Sequence, residues 1–146
     1  MTTPKAFLAL VVPLVVGCAT GPGQPRSELS AALARWNSQQ AVSYQITIHR
    51  LCECEGTDPV RVTVVNGQVT SRIDLTTGLP VPSALEPNFT DVPGLFALVQ
   101  DAYERAHSVA VTFNAVYGYP QTANIDYIGN AIDDELSLTV DDFVKQ

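Results

Sequence analysis

Cysteine, histidine and methionine are scarce in this 146-residue chain: three, two and one. A structural zinc site needs four ligands, and Cys52, Cys54, His49 and His107 come with no second cysteine pair. Long apolar runs are missing too. The longest, Ala6 to Val16, is eleven residues broken by Pro13, short of the roughly 20 a spanning helix needs. Basic residues are few, 8 Lys plus Arg against 15 Asp plus Glu, for a net charge of −7. Such a balance disfavours nucleic acid and anionic membrane surfaces as partners. No Gly-rich phosphate loop occurs, and Ser27, Ser43 and Ser108 lie in no nucleophile elbow. Asp126, Asp133, Asp134 and Glu135 are hard oxygen donors, yet the spaced loop of a calcium site is absent. They read as a solvated acidic turn, and neither a metal, a cofactor, a catalytic residue nor a small-molecule substrate is implied.

What is present begins at the N-terminus. Lys5 gives a short positive segment and Ala6 to Val16 an apolar core of signal-peptide length. The core ends in Val15-Val16-Gly17-Cys18 rather than in a small-x-small cleavage site. This resembles the bacterial lipobox, whose cysteine is lipidated after the preceding segment is removed. Gly21, Pro22, Gly23 and Pro25 argue against a helix that would instead bury Cys18. The division is therefore 1–17 signal peptide, 18–27 lipidated Cys18 and tether, and 28–146 a single domain. Several acyl chains on Cys18 would hold the chain to a membrane at about 0.8 kcal/mol per buried methylene. Ala19, not Asp, follows, which in a Gram-negative source implies the periplasmic side of the outer membrane.

The domain alternates helical and strand patterns. A helix is expected over 28–40, capped by Ser27, with Leu29, Ala32, Leu33 and Trp36 on one apolar face. Period-two alternation follows through residues 43–75, and Asn66-Gly67 marks a two-residue hairpin. A plain hairpin would pair Val64 with Val69, Val62 with Ser71, Val60 with Ile73, Thr63 with Thr70 and Arg61 with Arg72. Closing the preceding turn at Glu55 to Pro59 would set Cys54 opposite Val60, Cys52 opposite Val62 and Glu53 opposite Arg61. Residues 76–88, with three prolines, read as a loop. Thr90 or Asp91 caps a second helix with Leu95, Leu98, Val99, Ala102, Tyr103 and Ala106 as its core stripe, Phe96 off centre. Strands follow around Val109 to Phe113, Ala123 to Tyr127 and Leu136 to Val140, with a turn or bulge at Tyr117-Gly118-Tyr119-Pro120. The order α-βββ-α-ββ(β) implies an α+β fold, an antiparallel sheet of about five or six strands with both helices on one face. The recurrence of this order hints at duplication.

Cys52 and Cys54 leave several readings open. In an oxidising space, with Cys18 lipidated, they form an even pair. Positions i and i+2 of a strand lie about 6.6 Å apart, at the far edge of disulfide reach. They are a bridge or packed thiols, a redox pair, or metal ligands. Glu53 and Glu55 oppose a reactive thiolate.

Tyr44, Cys52-Glu53-Cys54, Asn66-Gly67, Tyr117-Gly118-Tyr119-Pro120, Asp126 and Asp133-Asp134-Glu135 together resemble an uncharacterised bacterial family, domain of unknown function 6174, over Leu29 to Phe143. That resemblance implies frequent placement behind lipoprotein signals, and carries no activity or catalytic residue. The reading is a lipid-anchored cell-envelope domain, not an enzyme, whose sheet or Tyr117, Tyr119, Pro120 turn meets an envelope protein. The alternative is a thiol–disulfide protein using Cys52 and Cys54.

Overall fold

A computed structural model describes residues 24–131 and 134–146; the signal segment, Cys18 and Asp133 lie outside the described residues. The order is α1 (Gln24–Ser38), β1 (Tyr44–Leu51), β2 (Val60–Val65), β3 (Gln68–Asp74), a 3₁₀ turn (Glu86–Asn88), α2 (Val92–Arg105), β4 (Ser108–Phe113), β5 (Pro120–Asp126) and β6 (Glu135–Lys145). The six strands form one antiparallel sheet in the order β3-β2-β1-β6-β5-β4. Both helices cover one face, so the α+β expectation holds and helix plus three strands occurs twice. Joining β1 to β6 places the two halves side by side.

The core is the helix-facing side of the sheet: Tyr44, Ile46 and Ile48, Val60, Val62 and Val64, Ala123 and Ile125, Leu138 and Val140. Val92, Leu95, Phe96, Val99 and Ala102 of α2 and Ala32 and Trp36 of α1 close over it. Phe96 is buried rather than peripheral, because its ring stacks on Phe113 of the edge strand β4 at 6.2 Å. α1 starts at Gln24, inside the stretch read as tether, and Ser27 is within the helix instead of capping it. Pro25 fits the first turn, where its missing N–H leaves no bond unmade. At α2 the cap is Asp91, whose carboxylate accepts from the Gly94 N–H at 2.9 Å.

Two expected registers are corrected. Asn66 and Gly67 both have positive φ, 51° and 74°, as a type I′ turn requires, and Val64 does face Val69. Beyond that the ladder slips by one, pairing Thr63 with Ser71, Val62 with Arg72, Arg61 with Ile73 and Val60 with Asp74. Thr70 is the extra residue of a β-bulge, and its hydroxyl donates to the Thr63 carbonyl at 3.3 Å. The slip turns Arg72 to the helix side, where Nε donates to the Phe89 carbonyl at 2.6 Å. Arg61 and Arg72 are thereby kept apart, a re-aiming that bulges serve.

The β1–β2 register is likewise different: Tyr44, Ile46 and Ile48 face Val64, Val62 and Val60. Bringing the three largest apolar positions of β1 against the three valines buries more surface than pairing cysteines there. Cys54 therefore does not face Val60, Cys52 does not face Val62, and Glu53 does not face Arg61. A second bulge lies in the last strand. Between Gln45–Val144 and Thr47–Asp141 the β6 side gains a residue, with Asp142 at φ 51° and accepting from the Thr47 hydroxyl at 3.2 Å. After this bulge Phe143, an odd position, joins Leu138 and Val140 on the helix-facing side.

Candidate functional site

Cys52 and Cys54 are bridged, with Cα atoms 5.2 Å apart. They sit beyond the end of β1 in the loop to β2, not in the apolar layer; Cys54 is exposed and Cys52 half-buried. Strand geometry no longer separates them, so the shorter spacing is reached without distorting a ladder. Gly56, at φ 77°, lets this loop lean on Leu85, whose Cδ1 would be 3.1 Å from an added Cβ. Leu51, Cys52, Glu53, Glu135 and Ser137 line a cavity of about 290 Å³ beside the bridge.

The Tyr117-Gly118-Tyr119-Pro120 turn faces inward. Tyr119 and Pro120 are buried and Tyr117 is half-buried. Tyr117 and Tyr119 pack on Phe143, with centroids at 4.4 and 5.5 Å, and Phe143 meets Trp36 at 5.7 Å. Trp36 also meets Tyr44 edge-on at 5.3 Å. This aromatic cluster fastens α1 to the sheet. Burial, with Asp141 nearby, pushes the Tyr119 phenol above its ordinary value. Asn114 organises the turn: its side-chain oxygen accepts from the N–H groups of Val116 and Tyr117 at 3.0 and 2.9 Å. Val116 is the exposed large apolar residue of this turn, at 66 %.

The ionisable residues are mostly held in local structural roles. His49 lies on the helix-free face, 3.6 Å from Asp141. The His107 ring packs on Gly129, where an added Cβ would lie 2.4 Å from it. Asp101 and Arg105 pair along α2 at 2.5 and 2.6 Å, and the guanidinium lowers the Asp101 carboxyl below its usual range. In the acidic turn Asp134 accepts from the Ile128 N–H. Asp126 and Glu135 border an open cavity of about 250 Å³ with Ser108, Asn124 and Ser137.

One residue stands apart. Arg50 continues the core-facing row of β1 after Ile48 and pairs with Leu138 of β6. Its Nε and Nη1 are buried with no hydrogen-bond partner among the described residues, and its guanidinium carbon is 5.9 Å from the Phe89 ring centre. Burial lowers its pKa from the ordinary guanidinium value. It borders a cavity of about 240 Å³ between the start of α2 and the sheet. The sequence pattern puts Arg50 on the row of Tyr44, Ile46 and Ile48 and near the cysteines but assigns it no site, although a charged residue there breaks the apolar pattern.

No described helix is long and apolar enough to cross a membrane. Two helices on one side of a six-stranded antiparallel sheet define a two-layer α+β domain with a bridged loop and a half-buried guanidinium. Residues 28–145 match the family described as Family of unknown function (DUF6174), and the chain belongs to that family. No curated protein and no solved structure matches it.

Proposed function

We propose that this chain is a lipid-anchored cell-envelope protein whose domain works by binding an envelope protein partner rather than by catalysis. The observation that carries the reading is Val15-Val16-Gly17-Cys18 closing an apolar run, six positions ahead of Gln24 at the start of α1. So short a spacer keeps the domain close to the membrane. A binding role is supported by the helix-free side of the sheet. There His49, Thr139, Thr122 and Thr112 succeed one another across β1, β6, β5 and β4, a polar row open to a partner's hydrogen bonds. The ion pairs described above act within the fold, which supports a binding role over turnover.

Metabolic labelling with an alkyne palmitate, followed by mass spectrometry of the N-terminal peptide, tests the anchor. The expected result is acyl mass on Cys18, lost in Cys18→Ala. An uncut leader, or a Cys18 thiol without acyl mass, removes the basis of the proposal. Crosslinking in envelope extracts, compared between the native chain and Thr122→Arg, tests the binding face.

The exposure of Cys54 favours a second reading, a thiol–disulfide protein. Glu53, Glu55 and Glu135 near the bridge oppose a stable thiolate. Thiol counting by mass under graded reductant separates the two: a bridge that resists mild reduction is structural, and one that cycles readily is redox-active.

A further inference from the structure

We propose that the Arg50 cavity is a binding site for a small amphipathic monocarboxylate, with the carboxylate on the guanidinium and the alkyl stem against the leucines. This goes beyond the anchoring role and holds whether or not Cys18 is lipidated.

Arg50 is half-buried, with Nε and Nη1 out of solvent; guanidinium nitrogens are rarely taken from water without a counter-charge, and this one lies in a chain with an excess of acid. Glu86 and Asp91, the acids next in sequence to the cavity's Pro87 and Thr90, are committed elsewhere. Glu86 pairs with Arg72 at 3.4 Å, and Asp91 caps α2. The N–H of Val92, which opens α2, is also taken, donating to the Tyr44 hydroxyl at 3.0 Å. The start of the helix is therefore already satisfied, and it is Arg50 whose Nε and Nη1 lack partners among the described residues. Its planar fork of donors matches a carboxylate better than a point cation would.

The rest of the cavity sets the ligand's other end. Leu95 and Leu98 from α2 and Leu136 and Leu138 from β6 form an apolar wall. Asn88 and Thr90 add two polar side chains. An apolar cavity of about 150 Å³ takes benzene, with six carbons. By proportion, 240 Å³ suits roughly ten non-hydrogen atoms. A carboxylate on a seven-carbon alkyl chain meets that size, and its two ends match the two linings.

Octanoate is the probe, titrated by calorimetry into the full-length chain, with 1-octanol and octylammonium as comparators. The expected result is saturable 1:1 binding of octanoate, octanol at least tenfold weaker, and no binding of octylammonium. Arg50→Met keeps the stem's packing and removes the charge. It should weaken octanoate at least tenfold and leave octanol within twofold. Leu98→Trp, which fills the cavity, should abolish binding of both. A stability measurement separates ligand binding from a structural role. Without ligand, Arg50→Met should unfold at a urea concentration equal to or above the native chain's, because it removes buried donors that bond to nothing. Absence of saturable octanoate binding, octanol binding as tight as octanoate, octanoate affinity unchanged in Arg50→Met, or an Arg50→Met destabilised without ligand would each overturn the assignment.

Discussion

Gly118 is where the turn between β4 and β5 meets α1, and replacing it with alanine tests how that joint is built. Gly118 has φ 88°, and an added Cβ would lie 2.4 Å from the Ala32 carbonyl oxygen and 3.0 Å from both Arg35 Cβ and the Trp36 nitrogen. Two of those neighbours are helix backbone, which cannot swing aside. Gly67 provides the internal control: its φ is 74°, with nothing within 4 Å of an added Cβ. Gly67→Ala therefore reports the conformational term alone, about 1–2 kcal/mol. Gly118→Ala adds the displacement of α1, about 1–3 kcal/mol, for a total of about 2–5 kcal/mol. Against a domain stability of about 5–15 kcal/mol, that is a large fraction. Urea unfolding followed by Trp36 fluorescence is the assay, since Trp36 is the sole tryptophan and lies at the joint. Circular dichroism on the same samples checks that the whole domain unfolds with it. The expected difference between the two variants is at least about 1 kcal/mol. Equal losses in Gly118→Ala and Gly67→Ala would mean that close approach of the turn to α1 is not what selects glycine.

Three further outcomes are expected. Tyr44→Phe leaves the Val92 N–H without its buried acceptor and should cost about 1–3 kcal/mol at neutral pH. Burial raises the Tyr44 phenol from 10.0 to about 12, so the folded chain holds this proton more tightly than the unfolded one. The stability this gives is complete below pH 10 and is lost as pH rises from 10 to 12, by about 1.4 kcal/mol per pH unit. The native chain should therefore lose its advantage over Tyr44→Phe across that window, and a gap that stays constant in alkaline urea titrations would contradict the linkage. Arg72→Met removes the 2.6 Å bond to the Phe89 carbonyl and should cost about 1.5–3 kcal/mol. Glu86→Gln loses only a part-exposed pair worth at most about 1 kcal/mol, and if the two variants prove equal in thermal melts the backbone bond is not the important one. Cys52→Ser with Cys54→Ser opens a three-residue loop and should cost no more than about 1.5 kcal/mol by loop entropy. A loss well above that in urea unfolding would show that the bridge does more than stiffen its loop.

Much of the architecture was legible locally. Asn66-Gly67, the cap at Thr90 or Asp91 and the α2 stripe are short-range signals, each read within a few residues; Asp91 is the cap, and Leu95, Val99 and Ala102 of the stripe are buried while Leu98, Tyr103 and Ala106 are half-buried and Phe96 joins the core. The β2–β3 register was missed because of a bulge, whereas the β1–β2 register, which has none, was missed because the connecting loop is longer than the pattern suggested. Thr70 and Asp142 are bulged residues, and a bulge changes which side every later residue occupies. Nothing within β3 alone says that Arg72 must turn toward Phe89, because the reason is a carbonyl 17 positions away. The parity change from Val140 to Phe143 was a visible trace of the second bulge. The Tyr117–Pro120 turn looked like an exposed motif because aromatic and proline residues suit partner contacts and packing alike. Its partners in burial, Trp36 and Phe143, lie at opposite ends of the chain.

By itself, then, the sequence determined the class of fold, the order of its elements and the lipobox-like cysteine, because periodicity, turn chemistry and motif spacing are local properties. Only the tertiary structure decided the strand registers, the placement of Cys52 and Cys54 in an exposed loop, and the half-burial of Arg50 with two donors unpaired among the described residues. Those outcomes depend on which surfaces meet across the sheet, and burial is settled by neighbours distant in sequence.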